Sequence, residues 1–291
     1  MFSRSKFTAG VAAIALCLTG CAGTASNSSD QIKVGVPSGW DEGVALSHLF
    51  EVALEEQGYD INLTDAEIGL IFTGLSQGDT DLMLDGWLPE THGEYWKKYQ
   101  SSLEDYGAWF DEAKLSLTVN ADAPIDSIEE LAENADLFDN RIVGIDAGAG
   151  ITRLTQDKAI PEYGLENMDF MISSTAAMLT ELKAAQQAGK NIVVTLWSPH
   201  WAYSAYDLKD LADPKGALGQ KESIHTFGRA GFEKDYPELV AMIKDFYLTA
   251  DELADLENAI INEGGSADLS GDAKAWLENN PEIQERLKVE K

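Results

Sequence analysis

Apolar and polar positions along this chain switch period repeatedly, and the switches predict its elements. Residues 32–36 (IKVGV) alternate and are β-branched, which predicts a strand. Val44, Leu46, Leu49, Phe50, Ala53 and Leu54 then recur at helical spacing, so residues 44–57 predict a helix that Gly58 stops, after a loop at Gly39, Trp40 and Asp41. A second short strand is expected at 60–63, a helix at 68–77 closed by Gly78, and a third strand at 82–84 running into DGWLP at 85–89. The pattern then recurs. An extended connection is expected at 115–119, a helix at 128–134 started by Asp126 or Ser127, and a strand at 141–145 followed by DAGAG at 146–150 and a helix from Ile151. A strand at 170–172, a helix capped by Ser174 or Thr175 and running to 188, and a buried-type strand at 192–196 leading into WSPHW at 197–201 complete the second unit. Residues 236–287 predict helices broken near Gly264 and Gly271.

Strands alternating with helices imply parallel-dominated sheets flanked by crossover helices, an α/β fold. The two similar units imply two lobes, with crossings at 115–120 and 221–229. The lobes are expected at 31–115 plus 225–291 and at 116–224. In such sheets a ligand sits beyond the carboxyl ends of the strands, here in a cleft between the lobes.

The first thirty residues change the picture from fold to compartment. Arg4 and Lys6 precede an uncharged apolar run at 7–18, too short to cross a bilayer comfortably, which predicts a signal peptide at 1–20. Leu18-Thr19-Gly20-Cys21 resembles the bacterial lipobox, whose cysteine is lipidated. Residues 21–30 then read as a small, polar tether holding an extracytoplasmic protein to the membrane through lipid alone. Cys17 is the other cysteine and lies in the leader, so neither a disulfide nor a thiolate metal site is expected beyond it. Roughly 260 remaining residues suffice for a core without such staples. The balance of 21 basic against 50 acidic residues disfavours nucleic acid as a partner.

Candidate chemistry gathers at the strand ends. Three of the seven tryptophans, Trp40, Trp87 and Trp197, fall there, whereas Trp96, Trp109 and Trp276 lie on helical or connecting stretches and read as packing. A quaternary ammonium has no N–H to donate, and the negative faces of indole rings are what can hold it, at roughly 1–2 kcal/mol for each desolvated contact. Gly148-Ala149-Gly150-Ile151 stands between a strand and a helix start, where unsatisfied backbone N–H groups suit an anion such as a carboxylate.

With these motifs assembled, the chain resembles the glycine betaine/choline-binding proteins of the OpuAC and ProX type, which serve ABC importers. The matching stretches are GWDE at 39–42, GDTD at 78–81, GWLPETH at 86–92, GIDAGAGI at 144–151, WSPHW at 197–201 and DPKG at 213–216. The resemblance implies a two-lobed periplasmic-binding-protein fold of type II-like build. It implies a cage of Trp40, Trp87 and Trp197, with backbone N–H groups of Gly150 and Ile151 and either His92 or His200 meeting the carboxylate. Asp41 and Glu42 beside Trp40 keep choline open as a ligand, since choline-preferring members carry an acidic side chain there. Implied partners are a small quaternary amine, a permease and an ATPase. A monomer without cofactor, metal or catalytic residue is expected.

Rival readings rest on less. Gly74-Leu75-Ser76-Gln77-Gly78 spells a nucleophile elbow, but a helix precedes it and a strand follows, the reverse of what the elbow needs. His48, His92, His200 and His225 show no paired metal-ligand spacing. A solute sensor without transport is compatible with the same residues.

Overall fold

The computed structural model describes residues 31–262 and 267–290. The expected leader, tether and Cys21 anchor lie outside the described residues, as does Gly264.

Strand β1 (Ile32–Pro37) is followed by α1 (Asp41–Glu55), β2 (Ile61–Ala66), α2 (Ile68–Gln77) and β3 (Leu82–Leu88). Helix α1 begins three residues earlier than the apolar period suggests. Trp40 is its N-cap, so Asp41 and Glu42 fall in the first turn, where the helix dipole favours acids. Strand β1 runs parallel to both β2 and β3. After α3 (Gly93–Tyr99) comes β4 (Leu103–Asn120), a single strand of 18 residues. The expected extended connection is its second half.

The second unit contains β5 (Arg141–Val143), α4 (Gly150–Leu154), α5 (Ile160–Tyr163), β6 (Asp169–Met171), α6 (Thr175–Ala188) and β7 (Val193–Ser198). Strand β5 is parallel to β6 and β7. The helix expected at 128–134 is formed instead as 3₁₀ turns, opened by a capping box of Ser127 and Glu130. Helix α7 (Ala202–Ala205) and β8 (Leu208–Asp210) lead to β9 (Glu222–Arg229). The chain ends in α8 (Phe232–Asp235), α9 (Pro237–Asp245), α10 (Ala250–Glu257), α11 (Leu269–Asn279) and α12 (Pro281–Arg286). Gly271 does not break a helix. It lies in the first turn of α11, its N–H held by the Asp268 cap at 3.0 Å.

The strand order is β2-β1-β3-β9-β4-β7-β5-β6, with β8 on β4. Antiparallel pairing enters through the two long strands β4 and β9, between parallel groups at either end. Strand β4 changes partner midway. It pairs with β9 as far as Ala113 and with β7 from Lys114 onward. Successive register shifts between Asp105 and Ala113 bend it before that change. The carboxyl ends of β1, β3 and β7 are thereby brought toward the turn that follows β5.

Candidate functional site

Three buried tryptophans wall a cavity. Trp40 follows β1, Trp87 is the penultimate residue of β3, and Trp197 that of β7; they are 6%, 2% and 3% exposed. Glu42, Thr91, Leu115, Ile145, Ala149, Gly150 and Ile151 complete the lining.

Two of the three indoles are fixed by an acidic side chain. The Trp87 Nε1–H donates to Asp85 at 2.7 Å, and the Trp197 Nε1–H donates to Glu42 at 2.8 Å. Trp40 stands beside the Asp146 carboxyl and helps to lower its pKa against the effect of burial. A buried indole N–H left unpaired would cost roughly 1–3 kcal/mol, so these bonds fix where the rings stand.

The two histidines pack against the walls. His92 stacks parallel on Trp40, with centroids 5.4 Å apart and planes 3° apart. Its Nδ1 accepts the backbone N–H of Trp87 at 2.8 Å, so the proton of the neutral ring is on Nε2. That Nε2 is buried with no hydrogen-bond partner. Burial, helped by the Arg153 charge, pushes the His92 pKa down to about 3. His200 is also neutral at physiological pH, its pKa pushed to about 3 by burial. Its Nδ1 accepts the Ala202 N–H at 3.0 Å, its edge meets Trp197, and its Nε2 faces Asp41 at 3.6 Å. Neither Nε2–H has a hydrogen-bond partner; the histidines differ in that His200 Nε2 has the Asp41 carboxyl 3.6 Å away, a neighbour His92 Nε2 lacks.

The acidic residues after Trp40 have separate surroundings. Asp41 accepts the indole N–H of Trp201, and burial raises its pKa to about 6 against that bond. Glu42 is 1% exposed and forms part of the cavity wall. Burial first, then repulsion from Asp85 and Glu257, holds its pKa well above the ordinary carboxyl range. Asp85 is raised to about 7 by burial, against the bond from Trp87.

On the opposite side, the turn after β5 delivers Gly150 and Ile151 as the first residues of α4. Their N–H groups precede the intrahelical ladder and have no acceptor within it. A Cβ at Gly150 would lie 2.3 Å from the Thr91 carbonyl oxygen, so only glycine allows this approach. Thr91 is itself held by buried Glu222, whose carboxylate accepts the N–H groups of Glu90 (2.6 Å) and Thr91 (2.9 Å) and the Thr91 hydroxyl.

Of the residues singled out in the sequence, Trp40, Trp87, Trp197, Glu42, Gly150 and Ile151 line the cavity, while His92 packs on Trp40, His200 on Trp197, and Asp41 is bonded by Trp201. Sequence reasoning missed Asp85, Asp146, Thr91, Trp201, Glu222 and Glu257. Asp85 had a signal, its place two residues before Trp87. Glu257 had none, being more than two hundred residues from Glu42. Trp96 stacks on Phe227, and Trp109 and Trp276 donate to Leu84 and Asp255 away from the cavity. Ser76 donates to the Thr73 carbonyl at the end of α2, where Gly78 (φ 78°) caps the helix, so the elbow geometry does not form. His48 contacts Glu51 and Ser270, and His225 contacts Asp105.

Residues 30–279 match the family described as the substrate binding domain of ABC-type glycine betaine transport systems. The chain is 40% identical over 162 residues to the glycine betaine/carnitine transport binding protein GbuC of Listeria monocytogenes. That alignment covers 55% of this chain and 52% of GbuC, about half the relative's length. Among solved structures, the glycine betaine/L-proline-binding protein ProX of Borrelia burgdorferi superposes with a TM-score of 0.82 at 31% identity, over 88% of this chain and 96% of that one. Lactococcal OpuAC, in its closed form with glycine betaine, superposes with a TM-score of 0.79 at 30% identity, over 88% and 98%.

Proposed function

Because the chain belongs to the family of substrate-binding domains of ABC-type glycine betaine transport systems, we propose that it captures glycine betaine in the tryptophan-walled cavity and delivers it to an ABC importer. The observation that carries this reading is the set of three buried indoles around one cavity, two of them with N–H groups taken up by Asp85 and Glu42. Indole faces attract a methylated cation that cannot hydrogen-bond.

The carboxylate end of the solute has two sets of donors nearby. The N–H groups of Gly150 and Ile151 form one, and the Nε2–H of His92 is the other, an orphan donor that a carboxylate would satisfy. His92 is assigned this role over His200, whose Nε2–H faces Asp41. A neutral His92 donates equally well across the physiological pH range.

The fold is the two-lobed one of these binding proteins. We place Trp40, Trp87 and His92 on one lobe, near 31–115 plus 225–291, and Trp197, Gly150 and Ile151 on the other, near 116–224. The partner change of β4 at Lys114 and the start of β9 at Glu222 support boundaries close to these. A solute touching both lobes binds only the closed form fully and so shifts the equilibrium toward it. The work is binding and release, with no bond made or broken in the solute. The partners are a permease and an ATPase on the cytoplasmic side of the same system. The protein acts outside the cytoplasm as a monomer, tethered through a lipid on Cys21.

Choline is the second reading, and Glu42 favours it, since its carboxyl lies in the cavity wall where a hydroxyl could be met. Calorimetric titration of the protein with glycine betaine, choline and carnitine decides between them. Glycine betaine is expected to bind tightest. Binding of choline alone would move the assignment to the second reading, and binding of none would refute both.

A further inference from the structure

The walls of the cage are backed by more negative charge than they need for hydrogen bonding. Glu42 from α1, Asp85 from β3 and Glu257 from α10 are 1%, 0% and 0% exposed and repel one another. Asp41, one residue from Glu42, adds to the field at Glu257. The packing is close, since a Cβ at Gly43 would lie 2.5 Å from Asp85 Oδ2. The groups facing the cluster supply few protons or charges. Trp197, Trp87 and Trp201 each donate one indole N–H. His200 faces Asp41 as a neutral ring. Among the described residues, no lysine or arginine forms an ion pair with any of the four acids. Asp85 Oδ2 has no partner, and Glu257 has only the Trp201 backbone N–H, too poorly placed to form a regular hydrogen bond. Only Glu42 reaches the cavity itself.

Several carboxylates cannot all be ionised together in so dry a space, so the empty protein keeps protons on the cluster. A permanent cation in the cage supplies the missing counter-charge. We propose that entry of the quaternary ammonium expels a proton from the Glu42–Asp85–Glu257 cluster to solvent, so that the protein exchanges a proton for its solute and holds the cation with Glu42 as counter-ion. This inference rests on the cage reading given above. The exchange balances in charge: one positive charge enters, one proton leaves, and no bond of the solute changes.

The sign of the pH dependence follows. In the empty protein the carboxyl pKa values are raised, to about 7 for Asp85 and about 6 for Asp41. The cation lowers them. While the carboxyl that gives up the proton is still protonated in the empty protein, binding must displace that proton and affinity rises with pH; once that one group is ionised without the solute, affinity levels off. His92 and His200, both pushed down to about 3, remain neutral throughout and do not contribute to the slope. Glycine betaine itself does not titrate in this range.

The test is calorimetric titration with glycine betaine, and with choline as a probe lacking the carboxylate, between pH 5.5 and 8. Two buffers of unequal ionisation heat are used at pH 6.5. Affinity is expected to rise about tenfold across the range for both solutes, with release of up to one proton at pH 6.5. In Glu42→Gln the amide oxygen still accepts from Trp197, so the slope and the proton release should shrink while the cage stands. Asp85→Asn is the second variant, with the same expectation. A merely structural role would lower affinity equally at every pH and leave the slope intact, which would overturn the inference. So would tight, pH-independent binding to the unmodified protein with equal heats in both buffers, although the cage reading would then survive. Absence of binding to either solute at any pH would instead refute the cage reading, and the inference with it.

Discussion

Replacing Trp197 by alanine separates the cage from ordinary packing. The indole is 3% exposed, lines the cavity and donates to Glu42 at 2.8 Å. Its removal takes away one of three aromatic faces, a loss of about 1–2 kcal/mol in a desolvated site. It also leaves the Glu42 carboxyl without its donor, at a further cost of about 1 kcal/mol or more, part of which falls on the empty protein too. A net loss of about 2 kcal/mol in binding corresponds to roughly 30-fold weaker affinity. The same change opens a hole in the fold, which for a buried tryptophan costs about 3–5 kcal/mol, so thermal unfolding must accompany the titration. Trp197→Phe controls for this. It keeps a ring but loses the N–H, and should bind glycine betaine with a loss between those of wild type and alanine. Two folded variants that bind as tightly as the parent would refute the cage.

His92→Ala should weaken glycine betaine at least tenfold and choline much less, because only the former has a carboxylate for Nε2–H; equal losses by calorimetry would remove His92 from the site. Gly150→Ala places a methyl 2.3 Å from the Thr91 carbonyl, so the two segments must separate and affinity should fall by at least tenfold with little change in melting temperature. Unaltered binding there would mean that this approach is not needed for capture. Cys21→Ser should move the protein from the membrane fraction to the soluble extracytoplasmic fraction, and persistent lipid labelling would contradict the anchor.

The parts of the fold that were legible in the sequence were those with a local cause. Strand β1, helix α2 and strand β7 come from uninterrupted periodicity, and Gly78 and Ser174 mark helix ends through their own backbone and side-chain chemistry. Helix α1 was placed three residues late because Asp41 and Glu42 look like loop residues until their partners, Trp201 and Trp197, arrive from the other half of the chain. Strand β4 was only half seen, since bulges between Asp105 and Ala113 break the alternation that would have announced it. The three tryptophans were visible because strand ends are predictable from local pattern. The layer behind them was not. Asp85, Glu222 and Glu257 acquire meaning only through contacts across large sequence separations, which no spacing encodes. The two histidines could not be told apart in sequence because both follow a cage tryptophan closely. Their difference lies in what each Nε2 faces.

The most direct measurement of the central claim is a crystal structure of the protein with glycine betaine. The account places the trimethylammonium group among the faces of Trp40, Trp87 and Trp197, and the carboxylate on the N–H groups of Gly150 and Ile151 and on His92 Nε2. A solute bound outside these three rings, or bound among them with its carboxylate turned away from Gly150, Ile151 and His92, would contradict it.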